Sequence, residues 1–291
     1  MKAPPFGYVR AGSLADVFRL WSDAGPDAKL LAGGQSLLAT LAFRLSEPST
    51  LVDISRVPEL QGITDAGAAI RVGAATTHTA LGSHALILQH VPLIAQAVPR
   101  IAHPAIRNRG TIGGSLAFAD PAAELPTCVV TLEATIIAQS AKGQRRIPAT
   151  EFFRGLYQTA LAEGELIAAV ELPKAKPDQR HTIVQLERRT GDYAMAGVAA
   201  RAVVEAGVLR DPRLVFFGVG EMPVLAKTAM AKAAGLPVTP ETLSTITAAL
   251  YADLDPSADL HGSPAMKRHW CRVLLKRALM QISQGSEAAA T

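Results

Sequence analysis

In residues 1–55, stretches with apolar residues at helical spacing alternate with short apolar runs that are typical of strands. Apolar positions at helical spacing follow Ser13-Leu14-Ala15-Asp16, which has the form of a capping box with Asp in the acidic position, so a helix is predicted to begin there. Two short apolar runs, at residues 29–31 and 50–54, predict strands. Helical spacing between them, at residues 36–43, predicts a second helix. The pattern therefore predicts a compact α+β subdomain over residues 1–55.

Residues 56–175 have a different pattern, in which β-branched apolar runs separate helical stretches. The pattern predicts strands at residues 68–73, 134–139 and 166–172. It predicts a helix at residues 91–101. Pro173-Lys174-Ala175-Lys176-Pro177-Asp178 follows as a predicted linker, because two prolines and mixed charges interrupt any periodicity. A second α+β subdomain is therefore expected over residues 56–175.

Residues 176–291 predict a sheet followed by helices. Three apolar runs predict a small three-stranded antiparallel sheet, at residues 182–186, 195–204 and 214–218. Helical spacing then predicts helices at residues 226–234, 240–250 and 264–282. Residues 285–291 are expected to be a frayed tail. The whole chain is thus predicted to be an α+β protein of two subdomains and a C-terminal domain.

Two glycine pairs interrupt these patterns, in Ala32-Gly33-Gly34-Gln35-Ser36 and Thr111-Ile112-Gly113-Gly114-Ser115. Neighbouring amides without a Cβ can point at one anion, and Ser and Thr hydroxyls add further donors. Two such segments indicate a diphosphate held from both sides, whereas either one alone is also compatible with an ordinary glycine turn. Neither segment has the G-x-G-x-x-G spacing of a dinucleotide-binding Rossmann fold.

Composition narrows the class of protein. The chain has 291 residues, of which 49% are hydrophobic and 19% charged, as is typical of a globular protein. A net charge of +4 with 5% aromatic residues argues against a nucleic-acid surface and fits an anionic cofactor or acidic partners. No apolar run is long enough for a membrane span and the start has no signal core, so a cytoplasmic location is expected.

Cysteine and histidine positions exclude several kinds of chemistry. Cys128 and Cys271 form no C-x-x-C pair, so neither a disulfide framework nor an iron–sulfur site is expected in this chain. His78 and His103 lie near the glycine segments without a metal-ligand spacing, and are expected to be structural. No Ser-His-Asp order or carboxylate pair predicts hydrolysis. No catalytic residue and no metal ligand is therefore assigned.

Four segments, in order, resemble the flavin-binding medium subunit of the molybdenum hydroxylases, the family of carbon monoxide dehydrogenase and xanthine dehydrogenase type enzymes. They are Ala32-Gly33-Gly34-Gln35-Ser36-Leu37-Leu38, Ile106-Arg107-Asn108-Arg109-Gly110-Thr111-Ile112-Gly113-Gly114-Ser115-Leu116, Arg188-Arg189-Thr190-Gly191-Asp192-Tyr193-Ala194 and His261-Gly262-Ser263. The likeness extends over nearly the whole chain. It implies a vanillyl-alcohol-oxidase-type (PCMH-like) FAD-binding fold, in which two α+β subdomains hold FAD and a C-terminal domain follows.

The resemblance also implies which residues contact a non-covalently bound FAD. The two glycine segments match those that surround the diphosphate and the ribityl chain, and Tyr193 matches an aromatic residue on a mobile loop beside the isoalloxazine ring. Glu124 matches an acidic residue near the FAD, and Ile167 a residue that packs against it. The implied cofactor-binding residues are Lys29, Leu30, Leu31, Ala32, Gly33, Gly34, Gln35, Ser36, Thr77, Ile101, Thr111, Ile112, Gly113, Gly114, Ser115, Glu124, Ile167 and Tyr193.

One position departs from the family pattern. Gln185 stands where many members have a lysine just before the Arg-Arg pair. If that lysine tunes the flavin or its acceptor site, the acceptor of this chain differs. Arg188 and Arg189 are compatible with solvated charges or with a partner interface, and the sequence does not separate the two.

The resemblance implies an FAD-containing electron-transfer subunit. Its implied partners are a small subunit with two 2Fe-2S clusters and a large subunit with a molybdenum–pterin cofactor, assembled as a dimer of heterotrimers. Substrate is hydroxylated on the large subunit, and electrons pass through the clusters to this FAD and then to an external acceptor. Two alternatives stay open: a stand-alone flavin oxidase or dehydrogenase of the same fold, and a non-redox nucleotide-binding module. Neither the hydroxylated substrate nor the acceptor follows from the sequence.

Overall fold

A computed structural model describes residues 2–284, so the tail predicted at 285–291 lies outside the described residues. The first part of the chain contains β1 (Gly7–Arg10), α1 (Leu14–Ala24), β2 (Lys29–Leu31), α2 (Leu37–Ala42) and β3 (Thr50–Asp53). The strands form a parallel sheet in the order β1-β3-β2. Half of the predicted capping box is present, because the Ser13 hydroxyl accepts a hydrogen bond from the Asp16 amide, whereas the Asp16 carboxylate accepts from the Gly12 amide at 3.0 Å instead of the Ser13 amide. Strand β1 was not predicted, since its largely exposed residues give no apolar alternation.

The second part carries a five-stranded antiparallel sheet and most of the short helices. Its strands are β4 (Ile63–Asp65), β5 (Ala69–Gly73), β6 (Thr135–Ser140), β7 (Gly143–Pro148), β8 (Phe153–Gly155), β9 (Gln158–Thr159) and β10 (Leu166–Pro173). Its helices are α3 (His78–Ser83), α4 (Ala85–His90), α5 (Pro92–Ala97), α6 (Pro104–Arg107), α7 (Ile112–Phe118), α8 (Glu124–Thr131) and α9 (Ala149–Phe152). The sheet has the order β4-β5-β10-β6-β7, and β8 and β9 form a separate hairpin.

Two predictions for this part are wrong in detail. The helix predicted at 91–101 is α5 followed by a 3₁₀ turn at Val98–Arg100, because Pro99 cannot continue an α-helical hydrogen-bond ladder. The second glycine pair lies in the first turn of α7 rather than in a loop. Capping by the Thr111 hydroxyl supports this helix despite the low helix propensity of glycine.

The third part consists of a sheet and three helices. Its elements are β11 (Gln179–Leu186), β12 (Ala196–Glu205), β13 (Val208–Phe217), β14 (Val224–Leu225), α10 (Lys227–Ala233), α11 (Pro240–Asp253) and α12 (Pro264–Gln284). The antiparallel sheet has four strands in the order β11-β12-β13-β14, so the prediction of three strands is wrong. Strand β14 pairs with Val215 and Phe216 through two residues, which are too few to give an alternating pattern. Within residues 2–284, no helix is both long and apolar enough to cross a bilayer.

Shared apolar clusters hold the three sheets together. One face of the third sheet, including Ile183 and Val215, joins the core beneath α5 and α8, and its other face packs on α10, α11 and α12. A smaller cluster joins Val17 near the first sheet to Leu166 in the second. This packing places the segment after β2 and the start of α7, which carry the two glycine pairs, on the wall of one cavity.

Candidate functional site

A cavity of about 900 Å³ opens between the two glycine segments and the loop that carries Tyr193. Its size lies within the range of small-molecule and cofactor sites. Most of the residues implied by the resemblance line it, namely Lys29, Leu30, Ala32, Gly33, Gly34, Gln35, Ser36, Ile101, Thr111, Gly113, Gly114, Ser115, Glu124, Ile167 and Tyr193. The structure therefore brings together residues that are far apart in the chain.

Three implied residues do not line the cavity but support its wall. Leu31 lies under the first glycine segment, where its Cδ1 is 3.2 Å from the position that a Cβ would take on Gly34. Thr77 caps α3 through its hydroxyl and forms a β-bridge with Thr111. Ile112 is fully buried in the core. All three hold the glycine segments in place.

The first glycine segment presents backbone amides without partners. Among the described residues, the amides of Gly33, Gly34, Gln35 and Ser36 donate no hydrogen bond. Gly34 has a φ of +74°, which side chains of L residues rarely allow. The Gln35 side-chain amide is tied back to the Gly33 carbonyl at 3.0 Å, and the Ser36 hydroxyl makes no capping bond to α2. A row of donors of this kind is suited to an anion.

The second glycine segment offers hydroxyls rather than amides. The Gly113 amide donates to the Ala74 carbonyl at 2.8 Å, and the Gly114 amide donates to Thr111 Oγ1 at 3.1 Å. The hypothesis that the amides of both glycine pairs are free donors is therefore wrong for this pair, because the entry into α7 already uses them. The hydroxyl hydrogens of Thr111 and Ser115 are the donors that this segment can turn toward the cavity.

The two glycine segments touch directly. A Cβ on Gly33 would lie 2.1 Å from the Arg109 carbonyl oxygen and 2.7 Å from its carbonyl carbon, so no side chain fits there. A Cβ on Gly114 would lie 2.9 Å from Thr111 Oγ1 and 3.9 Å from the Ala32 Cβ. The absence of a side chain at Gly33 therefore sets the distance between the two segments.

Another part of the cavity wall is aromatic. Tyr193 lines the cavity and 64% of it is exposed. Tyr157, in the turn between β8 and β9, also lines the cavity and packs against Phe118 with ring centroids 5.2 Å apart. Sequence reasoning missed Tyr157, since no motif surrounds it. An aromatic surface of this kind suits a planar ring.

The loop before α6 is fixed by Arg107, a residue to which sequence reasoning gave no role. Its Nη1 donates to the carbonyl oxygens of Ile101 and Ala102, both at 2.7 Å. Ile101 and Ala102 line the cavity, so this guanidinium group holds one of its walls. Arg107 lies only five and six residues after its two partners. The one signal for this contact in the sequence was the Ile106-Arg107-Asn108 segment that resembles the family.

Carboxyl groups form a further part of the wall. Burial raises the pKa of Glu124 to about 7, and burial also raises the pKa of Asp120, which sequence reasoning missed. Gln185 Nε2 donates to Glu124 Oε1 at 3.2 Å. The sequence singled out Glu124 and Gln185 separately, but it gave no sign that they touch.

The nearby histidine is a buried neutral base. Burial lowers the pKa of His78 to about 4, and neither ring nitrogen has a hydrogen-bond partner in the described part of the chain. No group of three or more His, Cys, Asp and Glu side chains that could hold a metal ion occurs among residues 2–284. Cys128 and Cys271 are buried free thiols.

Comparison with known proteins decides the family. Residues 4–175 match the family described as "FAD binding domain in molybdopterin dehydrogenase", and residues 181–282 match the "CO dehydrogenase flavoprotein C-terminal domain". The chain belongs to this flavoprotein family. A similar curated relative is the alpha subunit of the 6-hydroxypseudooxynicotine dehydrogenase complex of Paenarthrobacter nicotinovorans, with 39% identity over 280 residues, 96% of this chain and 95% of the relative.

Solved structures of similar proteins agree with this assignment. Quinoline 2-oxidoreductase from Pseudomonas putida 86 has a TM-score of 0.94 at 36% identity, covering 98% of this chain and 99% of that one. Carbon monoxide dehydrogenase from Hydrogenophaga pseudoflava has a TM-score of 0.93 at 35% identity, covering 96% and 98%. The family resemblance and the PCMH-type fold with its C-terminal domain are confirmed. This flavoprotein is an FAD-binding subunit of the molybdenum hydroxylase type.

The residues of this flavoprotein fit FAD. A diphosphate carries negative charge that is costly to remove from water without donors, and the amides from Gly33 to Ser36 supply a row of them. Lys29 is the one lysine or arginine among the described residues that line the cavity, and it adds a positive charge to the cavity wall. Tyr157 and Tyr193 offer aromatic surface to the planar ring.

Proposed function

We propose that this flavoprotein holds FAD non-covalently in the cavity and passes electrons from iron–sulfur clusters of a partner subunit to an external acceptor. The observation that carries the proposal is the row of unpartnered amides from Gly33 to Ser36, with the hydroxyls of Thr111 and Ser115 on the same cavity wall. When bound, FAD supplies a redox centre that takes up electrons one at a time and releases two to an acceptor. The chain's own residues bind, orient and shield it.

Each part of the wall has a proposed role. The first glycine segment, Lys29 and the hydroxyls of the second segment hold the diphosphate and ribityl chain. Tyr193 and Ile167 border the ring, and Ile101 borders it from the loop that Arg107 fixes. The residues of the implied set that line the cavity are proposed as FAD contacts, and the remaining three as supports. No side chain of this chain needs to act as an acid or base on the hydroxylated substrate.

The proposed assembly places the other cofactors in partner subunits. A small subunit carries two 2Fe-2S clusters and a large subunit carries the molybdenum–pterin cofactor and the substrate, in a cytoplasmic dimer of heterotrimers. Burial raises the pKa of the Cys128 and Cys271 thiols, which disfavours the thiolate that a cluster requires. Residues 1–55 and 56–175 are proposed as the FAD-binding subdomains, and 176–291 as the domain that carries the Tyr193 loop and contacts partners.

Metal analysis of the complex tests this assembly. Affinity purification of the chain, co-expressed with its genomic neighbours, is expected to yield two further polypeptides with roughly four iron atoms and one molybdenum for each FAD. The bare chain serves as the control and is expected to contain neither metal. If the chain purifies alone with FAD and oxidises a substrate by itself, the stand-alone flavoenzyme is the correct description.

Tyr193→Ala is expected to retain FAD and to change the rate at which acceptors oxidise the reduced complex. An aromatic contact contributes about 0.5 to 1.5 kcal/mol beyond burial, which corresponds to roughly a two- to thirteenfold change in rate. Stopped-flow reoxidation with dioxygen, NAD and a quinone measures it. Tyr251→Ala is the matched control, because Tyr251 is 66% exposed but lies on α11 outside the cavity lining. Unchanged rates with all three acceptors would remove Tyr193 from the site.

A further inference from the structure

Glu124 is a buried carboxyl group in the cofactor cavity without a cation beside it. It begins helix α8, it lines the cavity and only 7% of it is exposed. Its side-chain partner is Gln185, whose Nε2 donates to Glu124 Oε1 at 3.2 Å. In the described part of the chain, no lysine or arginine acts on this carboxyl. Burial raises the pKa of this carboxyl, and the hydrogen bonds from its own backbone amide and from Gln185, which lower the pKa, do not offset the loss of water.

The groups around Glu124 are acidic or neutral. The same amide nitrogen also donates to Glu187 Oε2 at 2.5 Å, so two carboxyl groups converge on one donor. Asp120 lies before α8 on the cavity wall, and the negative charges of Glu187 and Asp120 both disfavour ionisation of Glu124. The other neighbours are the Cys128 thiol, whose pKa is raised by burial and by Glu124, and the Tyr193 phenol, whose pKa is raised by burial, Asp120, Tyr157 and Glu124. The negative charge of Glu187 on the same amide group therefore adds to burial in raising the pKa of Glu124.

We propose that burial and the neighbouring acids keep Glu124 a neutral carboxylic acid, that Gln185 orients it, and that its second oxygen donates a hydrogen bond to the bound FAD. The amide nitrogen of Gln185 fixes Oε1, and among the described residues no other side chain donates to Oε2 of this cavity-lining residue. Gln185 is thus a positioning residue that supplies orientation without the positive charge that would ionise its partner. The inference rests on the proposed function, since it requires FAD in this cavity.

The expected consequence is a pH-dependent affinity for FAD. Burial raises the pKa of Glu124 from 4.5 to about 7 in the folded chain. A hydrogen bond donated by the acid to FAD raises that pKa further in the complex. Binding above about pH 7 therefore takes up a proton, and the dissociation constant rises about tenfold for each pH unit.

Thermal unfolding of the full chain stripped of FAD tests the protonation state without the cofactor. A carboxyl whose pKa is raised by folding stabilises the fold at low pH, and this contribution is lost as the pH rises through about 7. Between about pH 6 and pH 8, the Tm of the wild type is expected to fall by about 3 °C relative to the Tm of the Glu124→Gln variant. Glu163→Gln is the matched control on an exposed glutamate and should show no such change relative to the wild type. A constant difference for Glu124→Gln would overturn the proposal.

Titration with FAD at several pH values, followed by quenching of flavin fluorescence, tests the hydrogen bond. The wild type should lose affinity above about pH 7, whereas Glu124→Gln, a permanently neutral donor, should bind equally across the range. Gln185→Lys should move the midpoint down by about 1 to 3 pH units, because it adds a cation, and Gln185→Leu should move it up.

The outcomes separate the inference from the proposed function. Failure of the wild type to bind FAD at any pH contradicts the proposed function. Tight binding with a flat pH profile, or an unshifted midpoint in both Gln185 variants, contradicts only the role of Glu124. If Glu124→Gln does not fold, the two Gln185 variants decide the question.

Discussion

Gly33→Ala is expected to lower the affinity for FAD by about 100-fold or more. The added Cβ would lie 2.1 Å from the Arg109 carbonyl oxygen and 2.8 Å from the Gly110 Cα. These are backbone atoms, which cannot rotate away as the end of a flexible side chain can. The two glycine segments must therefore move apart by about 1 Å, and a displacement of that size between aligned groups costs on the order of 100-fold.

A titration of the FAD-free chain with FAD measures this loss, with far-UV circular dichroism to confirm that the variant is folded. Gly12→Ala is the matched control. Gly12 also has ordinary backbone geometry, it is exposed, and the nearest atom to its added Cβ would be 3.8 Å away. The Gly12→Ala variant should bind FAD as tightly as the wild type. Wild-type affinity in Gly33→Ala would mean that the contact between the segments does not shape the site.

Asp259→Ala is expected to lower the free energy of unfolding by about 2 kcal/mol. Lys267 on α12 is 5% exposed, and its Nζ donates to Asp259 Oδ2 at 2.6 Å. The other oxygen of Asp259 accepts hydrogen bonds from the amides of His261 at 2.8 Å and Gly262 at 3.2 Å. Removal of the carboxylate leaves a buried ammonium group without its partner; since the Asp259 side chain is 42% exposed, water offsets part of the roughly 3 to 5 kcal/mol that breaking a fully buried pair costs.

Urea unfolding of the FAD-free chain measures this difference. Asp255→Ala is the matched control. Asp255 pairs at 2.8 Å with Arg268, which lies on the same helix as Lys267, but the Asp255 side chain is 98% exposed. An exposed pair of this kind contributes less than about 1 kcal/mol. Equal effects of the two substitutions would show that the burial of Lys267 does not govern the stability of the segment that leads into α12.

The sequence was informative where one local pattern decides the structure. The cap at Ser13 and the strand at 29–31 follow from side chains within a few residues of each other. The glycine pairs lie on the wall of one cavity, and so does Tyr193, which the resemblance indicated although no local pattern did. Their contact with FAD stays a prediction.

The remaining features depend on contacts between distant segments. The Gly113 amide donates to the carbonyl of Ala74, which lies in the turn after β5 and far away in the chain, so the sequence could not show that this amide is unavailable to a ligand. The pairing of Gln185 with Glu124 joins β11 to α8 in the same way. Strand β14 was missed because its two residues gain their conformation from the neighbouring strand β13 rather than from their own pattern.

The visible absorption spectrum of the purified chain, before and after acid precipitation, tests the central claim most directly. We expect the two bands of oxidised flavin at one FAD per chain, and we expect the yellow colour to pass into the supernatant after precipitation because no covalent bond retains it. A colourless chain that does not take up added FAD, or a flavin that stays with the precipitated protein, would contradict the account.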